Sequence, residues 1–333
     1  MSEYRLYCGR CRSLTGRKNR FCEQCGYDLN RNSSANIPVV FGKVVEAQHR
    51  EPESILGVFN DHILVSVLGE GGMGRVYETM KCDSGQRFAL KVVHESLRLR
   101  GSSHIQLLID EGRRQASIVH PNVVRVFGLI QDQRSGQIGL VLELIDGDSL
   151  DKVLDKTGKT GFDLETVLLM SQHMTMGLKV VHQHGFIHAD VKPGNFMYGR
   201  GSEDEQSIKI SDFGISRSLK AQLTGDGKRL KARTPGYSSP EQILNQPLNV
   251  QSDLYCLGCV IFELLTGVRV FSLEDVATCD QDHVREQAPY VTDVRAEVPR
   301  RLAELVAALL RKDPHARPSS ANAVLEELRK VQL

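Results

Sequence analysis

The sequence predicts an α+β fold in two lobes, a strand-rich lobe followed by a mainly helical one, with a small cysteine-stapled module ahead of both. Three observations carry this. Two CxxC pairs fall between Cys8 and Cys25. Short β-branched runs crowd the stretch from Asn60 to Leu144, and beyond Asp148 apolar residues recur at helical spacing. The 333 residues suffice for two or three domains, or for one large two-lobed domain with an appendage.

The N-terminal module comes first. Tyr7-Cys8-Gly9-Arg10-Cys11 and Phe21-Cys22-Glu23-Gln24-Cys25-Gly26 place two CxxC pairs ten residues apart. Ligands two residues apart reach one metal from a tight turn, and structural zinc takes four such thiolates in a tetrahedron. Glycine beside each turn admits the backbone these knuckles need. A segment of this size has too little core to fold alone, and a bound metal supplies the missing stability. Residues 1–30 therefore resemble a four-cysteine zinc ribbon with Cys8, Cys11, Cys22 and Cys25 as ligands. Redox-active pairs are the rival reading. Seven basic against three acidic residues in 1–31, with four thiolates and Zn²⁺ counted, leave a charge of about +2. That suits a protein-docking or purely structural module at least as well as a nucleic-acid contact. Cys256-Leu257-Gly258-Cys259 repeats the CxxC spacing inside an apolar run, where buried cysteines act as small hydrophobes.

Residues 31–58 read as a linker, with one strand around Val39–Val45. Strands are expected at Ile63–Leu68, Phe88–Val93 and Ile138–Leu144. Helices are expected at Leu164–His184, Ser252–Thr266, Arg301–Arg311 and Ser320–Val331. The domain plan is thus 1–30, 31–58 and 59–333, the last split into lobes of about 59–145 and 146–333.

Leu68-Gly69-Glu70-Gly71-Gly72-Met73-Gly74-Arg75-Val76 contains G-x-G-x-x-G-x-V after the first strand of that domain. The same letters open the nucleotide-binding helix of dehydrogenases, but here Val76-Tyr77-Glu78 continues as strand. Phe88-Ala89-Leu90-Lys91 follows, with Lys91 seventeen residues beyond Gly74. Glycines let backbone lie over a triphosphate, and a lysine on a neighbouring strand adds positive charge.

His188-Ala189-Asp190-Val191-Lys192-Pro193-Gly194-Asn195 is the most informative octet, and Ser211-Asp212-Phe213-Gly214 places Asp212 twenty-two residues past Asp190. Together with the glycine loop, Lys91 and Ser239-Pro240-Glu241, these motifs stand in one order. Over about residues 60–333 the chain resembles the eukaryotic-like (Hanks-type) serine/threonine protein kinases found in bacteria. The resemblance implies a bilobal protein-kinase-like fold, with a five-stranded antiparallel β sheet plus one helix, around Glu111, in the first lobe and a mainly α second lobe. It implies ATP with Mg²⁺ (or Mn²⁺), and Ser/Thr-bearing protein substrates, this chain included. Asp190 is then the base, and Lys192 meets the γ-phosphate. Asn195 and Asp212 hold the metal through hard oxygens. Leu68, Gly69, Gly71, Gly74, Val76, Ala89 and Lys91 bind the nucleotide. Glu111 pairs with Lys91, and Glu143 and Ile145 bond adenine through their backbone beside the gatekeeper Leu142. Thr234 to Glu241 resembles the substrate-docking segment. Glu241 pairs with Arg317, and Asp253 braces the catalytic loop.

Two departures matter. Ala189 stands where relatives often carry arginine, the group that gathers a phosphorylated activation loop. Activity is therefore expected to depend little on such a phosphate. The run Lys228-Arg229-Leu230-Lys231-Ala232-Arg233 is basic, which reads first as a solvated loop and second as a preference for acidic partners. Thr224, Ser216, Ser218 and Thr234 are candidate phosphorylation sites.

Composition narrows the rest. A formal net charge of +1 gives no global footprint for nucleic acid or an anionic membrane, so nucleic acid is not expected as the main partner. No run approaches the roughly 18 apolar residues of a membrane span, and the N-terminus lacks a secretory apolar core, so the expectation is cytoplasmic. Competing readings are a pseudokinase scaffold, disfavoured because Lys91, Asp190, Asn195 and Asp212 are all present, a small-molecule kinase, and a protein that docks through its ribbon.

Overall fold

The computed structural model describes residues 4–7, 14–16 and 37–40 by their backbone, and 56–71, 74–94, 112–113, 115–157, 160–200, 206–212 and 234–333 in fuller detail. The chain divides into two compact units. One comprises Met1–Ile105 and Val126–Leu144, the other Gln106–Arg125 and Ile145–Leu333.

In the first unit, strands β1 (Tyr4–Tyr7), β2 (Leu14–Gly16) and β3 (Ile37–Val40) form an antiparallel sheet in the order β2-β1-β3. The strand expected around Val39–Val45 is described at Ile37–Val40, where its pairing ties it to Tyr4–Tyr7, and 41–45 lie outside the described residues. Cys8, Cys11, Cys22 and Cys25 lie outside the described residues.

The larger sheet holds β4 (Gly57–Phe59), β5 (His62–Gly71), β6 (Gly74–Lys81), β7 (Arg87–Val93), β8 (Val126–Gln131) and β9 (Ile138–Leu142), in the order β4-β5-β6-β7-β9-β8. It has six strands, not the five expected, because β4 adds to its edge. The β4–β5 turn is made by Asn60 at φ 53°, a conformation that asparagine tolerates better than most residues. The Asn60 N–H donates to Asp132 Oδ1 at 3.0 Å, which fastens that turn to the β8–β9 connection. Alternation along β7 sends Phe88, Leu90 and Val92 into a small core with Phe59 and Val141. Lys91 consequently stands on the opposite face.

The helix expected around Glu111 is described only at 112–113 and 115–116, and these positions group with the second unit. Glu111 itself lies outside the described residues.

The second unit opens with β10 (Asp146–Ser149), α1 (Leu150–Thr157) and α2 (Leu164–Gln183). It continues through β11 (Phe196–Arg200), β12 (Gln206–Ile210), α3 (Pro240–Ile243), α4 (Val250–Thr266), α5 (Val276–Arg285), α6 (Val291–Val294), α7 (Arg300–Leu309) and α8 (Ala321–Arg329). All four helices read from apolar spacing are present to within two residues at each end. Helix α2 begins where Asp163 accepts the Thr166 N–H. Helix α4 begins on an Asn249–Ser252 capping box and ends at Gly267, which takes the left-handed conformation (φ 73°). Apolar on nearly every side, α4 is the buried axis of this unit and packs against α2 and α7. Cys256 and Cys259 lie within it, and burial pushes both thiols above their ordinary range, as befits core residues. Strands β10, β11 and β12 form a small antiparallel sheet on either side of the catalytic octet in the chain. Among the described residues no helix is long and apolar enough to cross a membrane.

Candidate active site

The glycine loop is the tip of the β5–β6 hairpin, where Glu70 faces Arg75 and Gly71 faces Gly74 across the ladder. Arg75 Nη2 lies 2.7 Å from Glu70 Oε2, and His94 Nε2 bonds the Gly71 carbonyl at 3.1 Å. The glycines are not equivalent. A Cβ on Gly69 or Gly71 would meet nothing within 4 Å, so backbone there borders open space. A Cβ on Gly74 would lie 2.1 Å from the Val92 carbonyl oxygen, so Gly74 is required by the close approach of β7. Val76 pairs with both Gly69 and Lys91, while Ala89 pairs with Leu142. Lys91 also pairs with Leu140. Leu68 is exposed near the end of β5. Glu143 is buried just past β9, and Ile145 is the first residue of the second unit's long segment.

In the second unit, the side chains expected to do chemistry converge. Lys192 Nζ lies 3.0 Å from Asp190 Oδ2 and 2.9 Å from Thr234 Oγ1. The Thr234 hydroxyl in turn donates to Asp190 Oδ1 at 3.0 Å. Asn195 Nδ2 donates to the Asp190 carbonyl at 2.7 Å and approaches Asp190 Oδ2 at 3.3 Å. Asp190 is thus held on both carboxylate oxygens and on its backbone. The Asn195 carbonyl accepts the Ser211 N–H (2.9 Å) and hydroxyl (3.2 Å), which seats the residue before Asp212. Asp212 adopts φ 61°, a left-handed backbone that aspartate enters more readily than most side chains.

His188 is fully buried, and that burial lowers its pKa, so the ring is neutral. Its Nε2–H faces the Ser211 carbonyl at 2.9 Å, which leaves Nδ1 to accept the Asp190 N–H at 3.3 Å. Asp253 of α4 accepts the backbone N–H groups of His188 and Ala189, both at 2.8 Å, and faces His182 Nε2 at 2.8 Å. The expected brace is therefore present, with His182 as an added partner. The expected ion pair is present too. Arg317 meets Glu241 bidentately at 2.7 and 3.0 Å, and its remaining donors reach the carbonyls of Gln251, Arg311 and Lys312.

The donor set fits a hard divalent cation. With Asn195 Nδ2 committed to Asp190, the amide offers its oxygen, and Asp212 offers carboxylate oxygens, the ligand type magnesium prefers. No group of three His, Cys, Asp or Glu that could hold a metal occurs among the described residues.

Sequence reasoning missed three participants. Thr234 entered as the start of the docking segment and a candidate phosphorylation site, and its hydroxyl bridge between Lys192 and Asp190 was not anticipated. His182 carried no motif, because only the fold brings α2 beside Asp253. Gln242 also carried no motif, and only the fold sets its Nε2 against the Ala189 carbonyl at 2.9 Å. Phe213 and Gly214, the basic run and the other candidate phosphorylation sites lie outside the described residues.

The family described as Protein kinase domain matches residues 63–328. Serine/threonine-protein kinase PknA of Mycobacterium tuberculosis is 30% identical over 273 residues, covering 81% of this chain and 61% of that protein. Serine/threonine-protein kinase PknJ of Mycobacterium bovis is 31% identical over 267 residues, covering 79% of this chain and 44% of that protein. The chain thus spans less than two thirds of the length of these relatives. The crystal structure of the Mycobacterium tuberculosis PknI kinase domain aligns with a TM-score of 0.63 at 22% identity, covering 82% of this chain and 98% of that one, a likeness of fold.

Proposed function

Because this chain belongs to the protein kinase family, we propose that it is an ATP-dependent serine/threonine protein kinase that phosphorylates protein hydroxyls, its own among them. The observation that carries this reading is the Asp190 carboxylate held between Lys192, Thr234 and Asn195. Asp190 orients the attacking hydroxyl and takes its proton, and Lys192 offsets charge developing on the transferred phosphoryl group. Asn195 and Asp212 would hold Mg²⁺ or Mn²⁺, which neutralises phosphate charge when bound. Gly69, Gly71 and Gly74 lay backbone over the phosphates, Lys91 adds positive charge to them, and Leu68, Val76 and Ala89 contact the nucleotide. Glu143 and Ile145 present backbone to adenine.

The domain plan completes the proposal, with a zinc ribbon at 1–30, a linker at 31–58 and the kinase domain at 59–333. Cys8, Cys11, Cys22 and Cys25 hold structural Zn²⁺, and the ribbon docks a protein partner. A cytoplasmic location is part of the same proposal.

The test is transfer of labelled γ-phosphate from ATP with Mg²⁺ or Mn²⁺ to the chain itself and to basic and acidic proteins. Label on serine or threonine is expected, at a rate that phosphatase pretreatment leaves unchanged. Asp212→Ala should lower the rate at least about 10²-fold. Undiminished transfer by Asp212→Ala would refute the assignment, and no transfer by the parent chain would refute the kinase reading.

A further inference from the structure

Ala189, the residue before the proposed base, sits at φ 61°, a left-handed backbone that an alanine resists. Both of its backbone polar groups are tied. Its N–H donates to Asp253 Oδ1 at 2.8 Å, and its carbonyl accepts from Gln242 Nε2 at 2.9 Å. The Gln242 amide is fixed at its other end as well. Gln242 Oε1 accepts the Ser239 N–H at 2.8 Å and faces the Cys256 thiol at 3.3 Å. With its oxygen committed to two donors, the amide has to present its NH₂ to Ala189. The side chain thus joins the α3 N-terminus, the buried α4 and the catalytic loop.

The peptide that follows Ala189 is one planar unit carrying the Ala189 carbonyl and the Asp190 N–H. Gln242 holds the oxygen of that plane, and His188 Nδ1 holds its hydrogen at 3.3 Å. Rotation of the plane would shift the Asp190 carboxylate against Lys192 and Thr234. We propose that Gln242 is a positioning residue that couples the docking segment to the base and keeps Asp190 in register without an arginine at position 189. The inference rests on the kinase reading.

The experiment measures steady-state transfer and thermal unfolding for the full chain, Gln242→Met and Gln242→Glu. Methionine keeps the volume but removes both polar ends. Glutamate keeps the acceptor, yet its ionised form cannot donate to the Ala189 carbonyl. Both variants are expected to lower kcat about ten-fold at neutral pH, with the KM for ATP within about two-fold of the parent. As pH falls from about 8 to about 5, the Gln242→Glu to parent activity ratio should rise, because a protonated carboxyl regains a donor. The titratable neighbours Cys256, Glu241, Asp253, His188 and Asp190 are present in the parent and both variants, and the Gln242→Met ratio reports any titration of their own. The Gln242→Met ratio should stay flat.

Parent-like rates in both variants would overturn the proposal. So would a Gln242→Glu ratio that does not respond to pH, since loss through packing alone has no titrating donor. If Gln242→Met unfolds, the near-isosteric Gln242→Glu ratio decides alone. An inactive parent chain would instead remove the kinase reading itself, a result distinct from active protein with insensitive variants.

Discussion

Gly69 and Gly74 belong to one loop and one motif, but different forces select them. Gly69 borders open space, whereas a side chain at Gly74 would strike the Val92 carbonyl. Gly74→Ala should therefore cost about 2 kcal/mol of stability by forcing β6 from β7. Gly69→Ala should leave the Tm nearly unchanged and raise the KM for ATP several-fold. Thermal unfolding with ATP titration checks both, and equal Tm losses would contradict the distinction. The motif alone could not separate them, since a spacing of glycines says that side chains are unwelcome without saying what excludes them. The same holds for Thr234. Its place near the docking segment was legible, but the bridge from Lys192 to Asp190 depends on residues more than forty positions apart.

At the scale of elements, α3 is a single short helix held at its N-terminal end. Ser239 caps it, and Glu241 anchors it to Arg317 inside the unit, where both side chains are almost fully buried. Burial alone would raise the Glu241 pKa, but the hydrogen bonds from Arg317 and Ser252 outweigh it, and the carboxyl lies below its ordinary 4.5. A depressed carboxyl stabilises the fold fully above its unfolded value, and that stabilisation is lost as pH falls through the folded value. Glu241→Gln should thus cost about 3 kcal/mol at neutral pH, because it leaves the Arg317 charge buried without its partner. The Tm gap between parent and variant should narrow below about pH 4.5. Melting curves from pH 7 downward measure it, and a constant gap would show that the pair carries no such linkage. The pairing itself was read from resemblance. The saturation of Arg317 by three carbonyls was not, because backbone acceptors leave no mark in sequence.

At the scale of the whole molecule, residues 1–30 carry four cysteines in a spacing that chemistry restricts to few uses. One zinc per chain is the expected metal content. Cys8→Ser with Cys25→Ser should reduce it below about half, while phosphate transfer stays within about two-fold of the parent. Metal analysis beside the transfer assay checks this, and unchanged zinc would remove the ribbon ligands. The four helices read from apolar spacing, the catalytic octet, the glycine loop and the order of motifs were determined by the sequence itself, whereas α5, as long as α7, was not read. Their signals are local, residing in periodicity, caps and fixed spacings. His182 against Asp253, Gln242 against Ala189, and the demand of Val92 on Gly74 were decided by tertiary structure. Each is a contact between segments whose separation along the chain follows no period, so only the folded backbone brings their donors, acceptors and excluded volumes together.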